Sequence, residues 1–194
     1  MSKSIHSEGA EDTVKYLESN ELQRLFKQIK GKRDTAIFRT AYHYGCRASE
    51  ITHLQMSDLV ELEGEPAIRI SRLKGGKTRV FPLLPVVHSS LRAWRKERGE
   101  LPGPLFRSRR GSGISQPQLH RLMRRYCAAA GIPEDKAHFH TLRHSCATSL
   151  IDLNENLEYV QAHLGHRDIR STGVYAKVSG KRLRDTFRRL RDWK

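Results

Sequence analysis

Apolar residues recur along this chain in two periods, first helical, then strand-like, then helical again. Leu22, Leu25, Phe26 and Ile29 stand three and four apart and predict a helix over 20–29 with Ser19 as its N-cap. A second helix is expected over 32–44, ended by Gly45, and a short third over 48–54 with Arg47 at its start. The period then changes. Asp58 and Leu59 lead into strand sequence, Gly64-Glu65-Pro66 marks a turn, and Ile68 and Ile70 alternate with Arg69 and Ser71. Lys74-Gly75-Gly76-Lys77 reads as a tight hairpin tip, with a return strand over 78–82. Helical spacing resumes over 86–98, where Val87, Leu91 and Trp94 share one face. A loop rich in Pro, Gly and Arg fills 101–113. Ser115 then starts a helix in which Pro117 lies in the first turn, Gln118 completes a capping box and Gly131 closes the end. Leu142, Cys146, Ser149, Leu150 and Leu153 form the next stripe, followed by Leu157, Val160 and Leu164, which stop at Gly165. The last stripe is Leu183, Phe187, Leu190 and Trp193, in a basic amphipathic helix over 180–194. There is no internal repeat. The sum is an α+β fold, mainly α: a domain over 15–179 with one small antiparallel three-stranded sheet in its first half, preceded by a disordered polar tail over 1–14.

Charge changes the picture more than composition does. The chain has 194 residues, 37% of them hydrophobic, enough for a single core, but its net charge is +15. Such an excess implies a polyanion, with nucleic acid expected rather than a membrane surface. No apolar run approaches a membrane span, and the polar, mildly acidic start is unlike a signal peptide. Three scattered cysteines, Cys46, Cys127 and Cys146, suit a reducing compartment, so the expected location is cytoplasmic and nucleoid-associated.

The candidate chemistry is concentrated between His138 and Tyr175. His140 and His144 lie four apart, a spacing that could hold a metal on one helix face. The Glu of a zinc-hydrolase motif is replaced by Thr141 and the cysteines are unpaired, so no metal and no cofactor is expected. Arg143 shares their helix start, His166 follows the glycine stop, and Tyr175 comes nine residues later. Earlier in the chain, Arg47 follows another glycine stop, and Glu50 stands one turn on, placed to orient it. Lys74 sits at the glycine-rich hairpin tip. Read singly, each is an ordinary residue: a solvated arginine, a hairpin lysine that keeps an edge soluble, a half-buried tyrosine.

Together they resemble the tyrosine recombinases, the phage-integrase family of site-specific DNA recombinases. The resemblance runs from Leu22 to Tyr175. It is carried by Gly45-Cys46-Arg47-Ala48-Ser49-Glu50, Lys74 in LKGGKTR, His140-Thr141-Leu142-Arg143-His144, Leu164-Gly165-His166 and Tyr175, all in the family's order. Most members carry an added N-terminal helical domain that closes around DNA. Only about fifteen residues precede the first helix here. GCRASEI, RLKGG, LRHSC and LGHRDIR are similar to the compact fimbrial phase-variation invertases, which lack that domain; an excised catalytic domain is the other explanation.

The resemblance implies a double-stranded DNA partner, cleaved and rejoined through a covalent 3′-phosphotyrosine intermediate. Tyr175 would be the nucleophile, Arg47 and Arg143 would grip the phosphate oxygens, and His140 and His166 would complete the cage. His140 is the candidate base and Lys74 the candidate acid for the leaving 5′-oxygen, with Lys77 its rival; Glu50 and His144 support. Beyond the site, Lys77, Arg79, Arg107, Arg109, Arg110, Arg121, Arg124 and Arg125 are candidate DNA contacts, against the plainer reading of a solvated face. Gln116, Gln118 or Arg121 would come near base edges if the helix after Ser115 enters the major groove. The expected assembly is a dimer or tetramer on DNA and a monomer in solution. The 180–194 helix either packs on its own core or docks on a neighbouring protomer. Two other functions share parts of this pattern: a type IB topoisomerase-like relaxing enzyme, and a DNA-binding regulator without catalysis.

Overall fold

The computed structural model describes residues 14–72, 77–108, 111–166, 168 and 170–178. The expected hairpin tip with Lys74, the pair Arg109 and Arg110, nearly all of the expected N-terminal tail and the 180–194 helix lie outside these residues.

The chain opens with three helices, α1 (Ser19–Gln28), α2 (Lys32–His43) and α3 (Ala48–His53). The residue capping α1 is Glu18, not Ser19: its carboxylate meets the Glu21 N–H while the Glu18 N–H is bonded to the Glu21 carboxylate at 2.9 Å. Strands β1 (Leu59–Leu62), β2 (Glu65–Ile70) and β3 (Arg79–Pro82) form one antiparallel sheet in that order. Leu62 pairs with Glu65, so the first turn is the two residues Glu63 and Gly64, both at positive φ. It falls one residue before the expected turn, and Pro66 is already in the strand. The apolar alternation sets the sheet's inner face with Ile68 and Ile70, both wholly buried; Ala67, on the other face of this central strand, is buried as well.

The second half is helical: α4 (Pro85–Arg98), α5 (Gln116–Ala129), α6 (Thr141–Asp152), α7 (Leu157–Leu164) and α8 (Arg170–Val178). Ser115 Oγ accepts the Gln118 N–H at 3.3 Å, as the sequence predicts for the start of α5. α2 is the central helix, packed against α3, α4 and α6. Phe38 lies at its middle, edge-to-face with Tyr126 and Phe139, in the large core that joins α1 to α5 and the sheet. A second, smaller cluster joins Cys146, Ala147, Ile151, Val160, Leu164 and Tyr175.

α6 departs from the expected amphipathic stripe. Leu153 is 72% exposed, whereas Arg143, Ser145 and Thr148 are buried alongside Leu142, Cys146 and Ala147. The helix is enclosed on nearly every side, so burial there does not follow apolar spacing. None of the described helices is long and apolar enough to cross a membrane.

Candidate active site

Two helix ends build the site, and both close in the same way. At the end of α2, Gly45 adopts φ +57°, its N–H reaches Tyr42 O and the Cys46 N–H reaches Ala41 O at 2.9 Å. A Cβ at Gly45 would run into the Leu164 side chain. At the end of α7, Gly165 adopts φ +68° and the His166 N–H reaches Gln161 O at 3.0 Å. A Cβ at Gly165 would lie 2.7 Å from Arg72 Cγ. These turns set Arg47 at the N-terminus of α3 and His166 just beyond α7. His140 stands immediately before α6, Arg143 and His144 lie in its first turn, and α8 carries Tyr175.

The arginines are held by backbone. Arg143 is only 1% exposed; its Nη1 donates to Gly45 O at 2.6 Å and its Nη2 to Leu164 O at 2.9 Å. Arg47 donates its main-chain N–H and Nη1 to the two oxygens of Glu50, both at 2.8 Å. Glu50 is buried and takes a second guanidinium, from Arg72 Nη1, at 2.9 Å. Three guanidiniums against one carboxylate leave this wall with an excess of positive charge. Burial, then repulsion from Arg47 and Arg72, lowers Arg143 to about 10, still charged at neutral pH.

The opposite wall is made of imidazoles and a phenol. Tyr175 is 2% exposed, and its Oη lies 2.8 Å from His144 Nδ1. The His140 ring meets His144 edge-on at 4.5 Å and opens to solvent on its other side. His166 lies parallel to the Tyr175 ring at 6.4 Å, and its Nδ1 contacts Thr172 Oγ1 at 2.9 Å. Loss of water around the rings is the main cause that holds His140, His144 and His166 down to about 4. The charge of Arg143 adds to this at all three. Burial raises the Tyr175 phenol above its ordinary value, and Arg143 opposes that rise. At neutral pH the site is therefore a neutral phenol and neutral imidazoles beside fixed cations, a grouping suited to a small anion.

Five of the six expected catalytic residues, with Glu50 and His144, thus come together; Lys74 lies outside the described residues. The hydroxyl's partner is His144, while His140, the expected base, touches His144. Sequence reasoning passed over Arg72, which shared Glu50 with Arg47. One signal pointed to it: the period of two places Arg72 on the same inward face as Ile68 and Ile70. Thr172, fully buried beside His166, had no such signal.

The expected DNA contacts divide by how their cations are engaged. Lys77, Arg79, Gln116, Arg121 and Arg124 are exposed, and Gln118 is half-buried. Arg107 is half-buried, with Nη2 on Pro102 O at 3.2 Å. Arg125 lies over the Tyr126 ring, bonds its hydroxyl at 2.8 Å and pairs with Asp34 at 3.6 Å. Among the described residues no group of three His, Cys, Asp or Glu side chains is placed to hold a metal ion.

Comparison with known proteins gives the same answer by three routes. The sequence pattern of the family described as the phage integrase family matches residues 15–182. The type 1 fimbriae regulatory protein FimE of Escherichia coli K12 is 33% identical over 184 residues, which span 90% of this chain and 91% of FimE. Tyrosine recombinase XerC of Corynebacterium glutamicum is 36% identical over 158 residues, 80% of this chain but only 50% of XerC. Among solved structures, XerA recombinase superposes with a TM-score of 0.79 at 28% identity, over 91% of this chain and 65% of that one. XerH site-specific recombinase, in a post-cleavage complex with its palindromic difH substrate, gives 0.77 at 26% identity over 90% of this chain and 53% of that one.

Proposed function

The chain belongs to the phage integrase family, and we propose on that premise that Tyr175 cleaves DNA at the site described above. It is a site-specific DNA recombinase that cleaves and rejoins strands through a covalent 3′-phosphotyrosine intermediate. The observation that carries the residue assignment is the meeting of Tyr175 with His144 at 2.8 Å opposite a wall of buried guanidiniums.

A scissile phosphodiester enters as the missing anion. The forks of Arg47 and Arg143 bond its non-bridging oxygens, where negative charge grows as the hydroxyl attacks, and His140 and His166 add donors. Tyr175 Oη forms a bond to phosphorus, the bond from phosphorus to the 5′-oxygen breaks, and the proton of Tyr175 passes to His144. The phosphate's own charge offsets the arginines and raises the imidazoles toward the range where they hold protons. Lys74 supplies the proton that the leaving 5′-oxygen needs. The phosphotyrosine bond conserves the energy of the broken diester, so the reverse attack by another 5′-hydroxyl rejoins DNA without a nucleotide cofactor.

Exposed Lys77, Arg79, Arg121 and Arg124 contribute the sequence-independent grip on phosphates. Strand exchange needs two cleaved duplexes held together, so the working form on DNA is a dimer or tetramer, assembled on the nucleoid. The test begins with DNA sites that the protein captures from genomic fragments. A supercoiled plasmid carrying two copies of a captured site should yield products joined at both copies. Relaxation alone would instead give a topoisomerase, and binding with neither product a regulator.

A further inference from the structure

Arg72 has no part in the chemistry just described, yet it is among the most enclosed charges in the chain, at 3% exposure. It sits where β2 leaves the sheet, on the inward face that Ile68 and Ile70 share. A leucine or methionine there would fill the space without desolvating a charge, and buried ion pairs as a class add little stability over such replacements. Stability therefore does not explain the arginine. Its partners do.

Nη1 donates to Glu50 Oε2 at 2.9 Å and to Gly45 O at 3.4 Å. Nη2 donates to Tyr44 O and His163 O, both at 2.6 Å, while Nε is buried without a partner. Each acceptor adjoins a group of the active site. Glu50 anchors Arg47; Gly45 O also receives Arg143; His163 O immediately precedes Leu164 O, the other acceptor of Arg143, and the turn that carries His166. Gly165 leaves room for the Arg72 stem and nothing larger. The acceptors come from three stretches, 44–45, 50 and 163, and only a planar fork reaches all of them; an ammonium is a point charge.

We propose that Arg72 is a positioning residue for DNA cleavage, a buried clamp that fixes the end of α2, the Glu50–Arg47 pair and the end of α7 in one frame. The proposal rests on the recombinase reading above. It acts through Arg47 and the α7 turn and does not touch the phosphate.

The test is single-turnover adduct formation by the full chain on a half-site duplex cut from captured DNA, with binding and thermal unfolding measured in parallel. Arg72→Met should stay folded and bind the half-site within about twofold of wild type, yet form adduct about 10²-fold more slowly, the loss expected from a small misplacement of reacting groups. Arg72→Lys should behave alike, since its charge cannot restore the fork. Combined with Arg47→Ala, Arg72→Met should add less than about threefold to the loss, because both remove one frame. Wild-type rates in Arg72→Met or Arg72→Lys would overturn the proposal, as would losses that multiply in the double variant. Failure of both single variants to fold would also overturn it, making Arg72 a residue of the core. If the wild-type chain forms no adduct on DNA that it binds, the recombinase reading itself fails.

Discussion

The two walls of the active site are built in different ways. On the cation wall, Arg72 and Arg143 bond the carbonyls of Tyr44, Gly45, His163 and Leu164, and Glu50 ties Arg47 to Arg72. Main-chain acceptors at two glycine-closed helix ends cannot rotate away, so the positive charge is fixed before any substrate arrives. On the nucleophile wall, among the described residues, the Tyr175 hydroxyl has one hydrogen-bond partner, His144, and the small apolar cluster of α6 and α7 surrounds its ring. α8, which carries it, packs mainly on α6 and α7. The work divides accordingly: the wall that stabilises charge is fixed by main-chain acceptors, and the hydroxyl that must form and break a bond is more lightly held, through one side-chain contact.

The largest effect should come from the lightly held side. Tyr175→Phe removes the one group able to form the ester and should reduce adduct to background while DNA binding persists, as gel shifts would show. The cation wall should then separate its members. Arg143→Lys should slow cleavage roughly 10²- to 10³-fold, the loss typical of a removed oxyanion donor, and leave a buried carbonyl unbonded. Arg47→Lys, whose side chain is 23% exposed, should lose less. Equal losses in single-turnover assays would mean that burial and backbone anchoring do not set the contribution.

A pH series sharpens the same contrast. The half-buried His144, His163 and His166 are each held near 4 in the folded chain, against an ordinary value of 6.5. As pH falls below about 6.5, the unfolded chain takes up protons that the folded one refuses, so stability is full above that value and declines toward about 4. Urea melts between pH 7.5 and pH 5 should show a falling midpoint; a flat midpoint would mean that these imidazoles are not shielded. The smallest effect lies outside both walls. Arg121→Ala should lower the salt slope of DNA binding by about one. Arg125→Ala should change it less, because Asp34 already engages that guanidinium.

What was legible in the sequence follows from which signals are local. Helices with an apolar stripe and a glycine stop, such as α2 and α7, appear within a residue or so of their predicted ends. The motif residues Arg47, His140, Arg143, His166 and Tyr175 lie in short strings, and the structure brings them near one another. What failed to show was long-range. The contact of His144 with Tyr175 spans 31 positions and that of Arg72 with His163 spans 91, and neither leaves a trace in local spacing. Leu153 misled for another reason: α6 ends at Asp152, so Leu153 stands at its C-cap, off the stripe and 72% exposed.

Tyr175, a buried phenol beside fixed guanidiniums, is assigned as the nucleophile. The direct measurement is to incubate the full chain with a nicked duplex of a captured site, digest the covalent product and locate the nucleotide by mass spectrometry. A 3′-phosphate should appear on Tyr175, 2% exposed, with release of a 5′-hydroxyl strand. A nucleotide on another residue, such as Tyr159 at 48% exposure, or cleavage that leaves no protein attached to DNA, would contradict it.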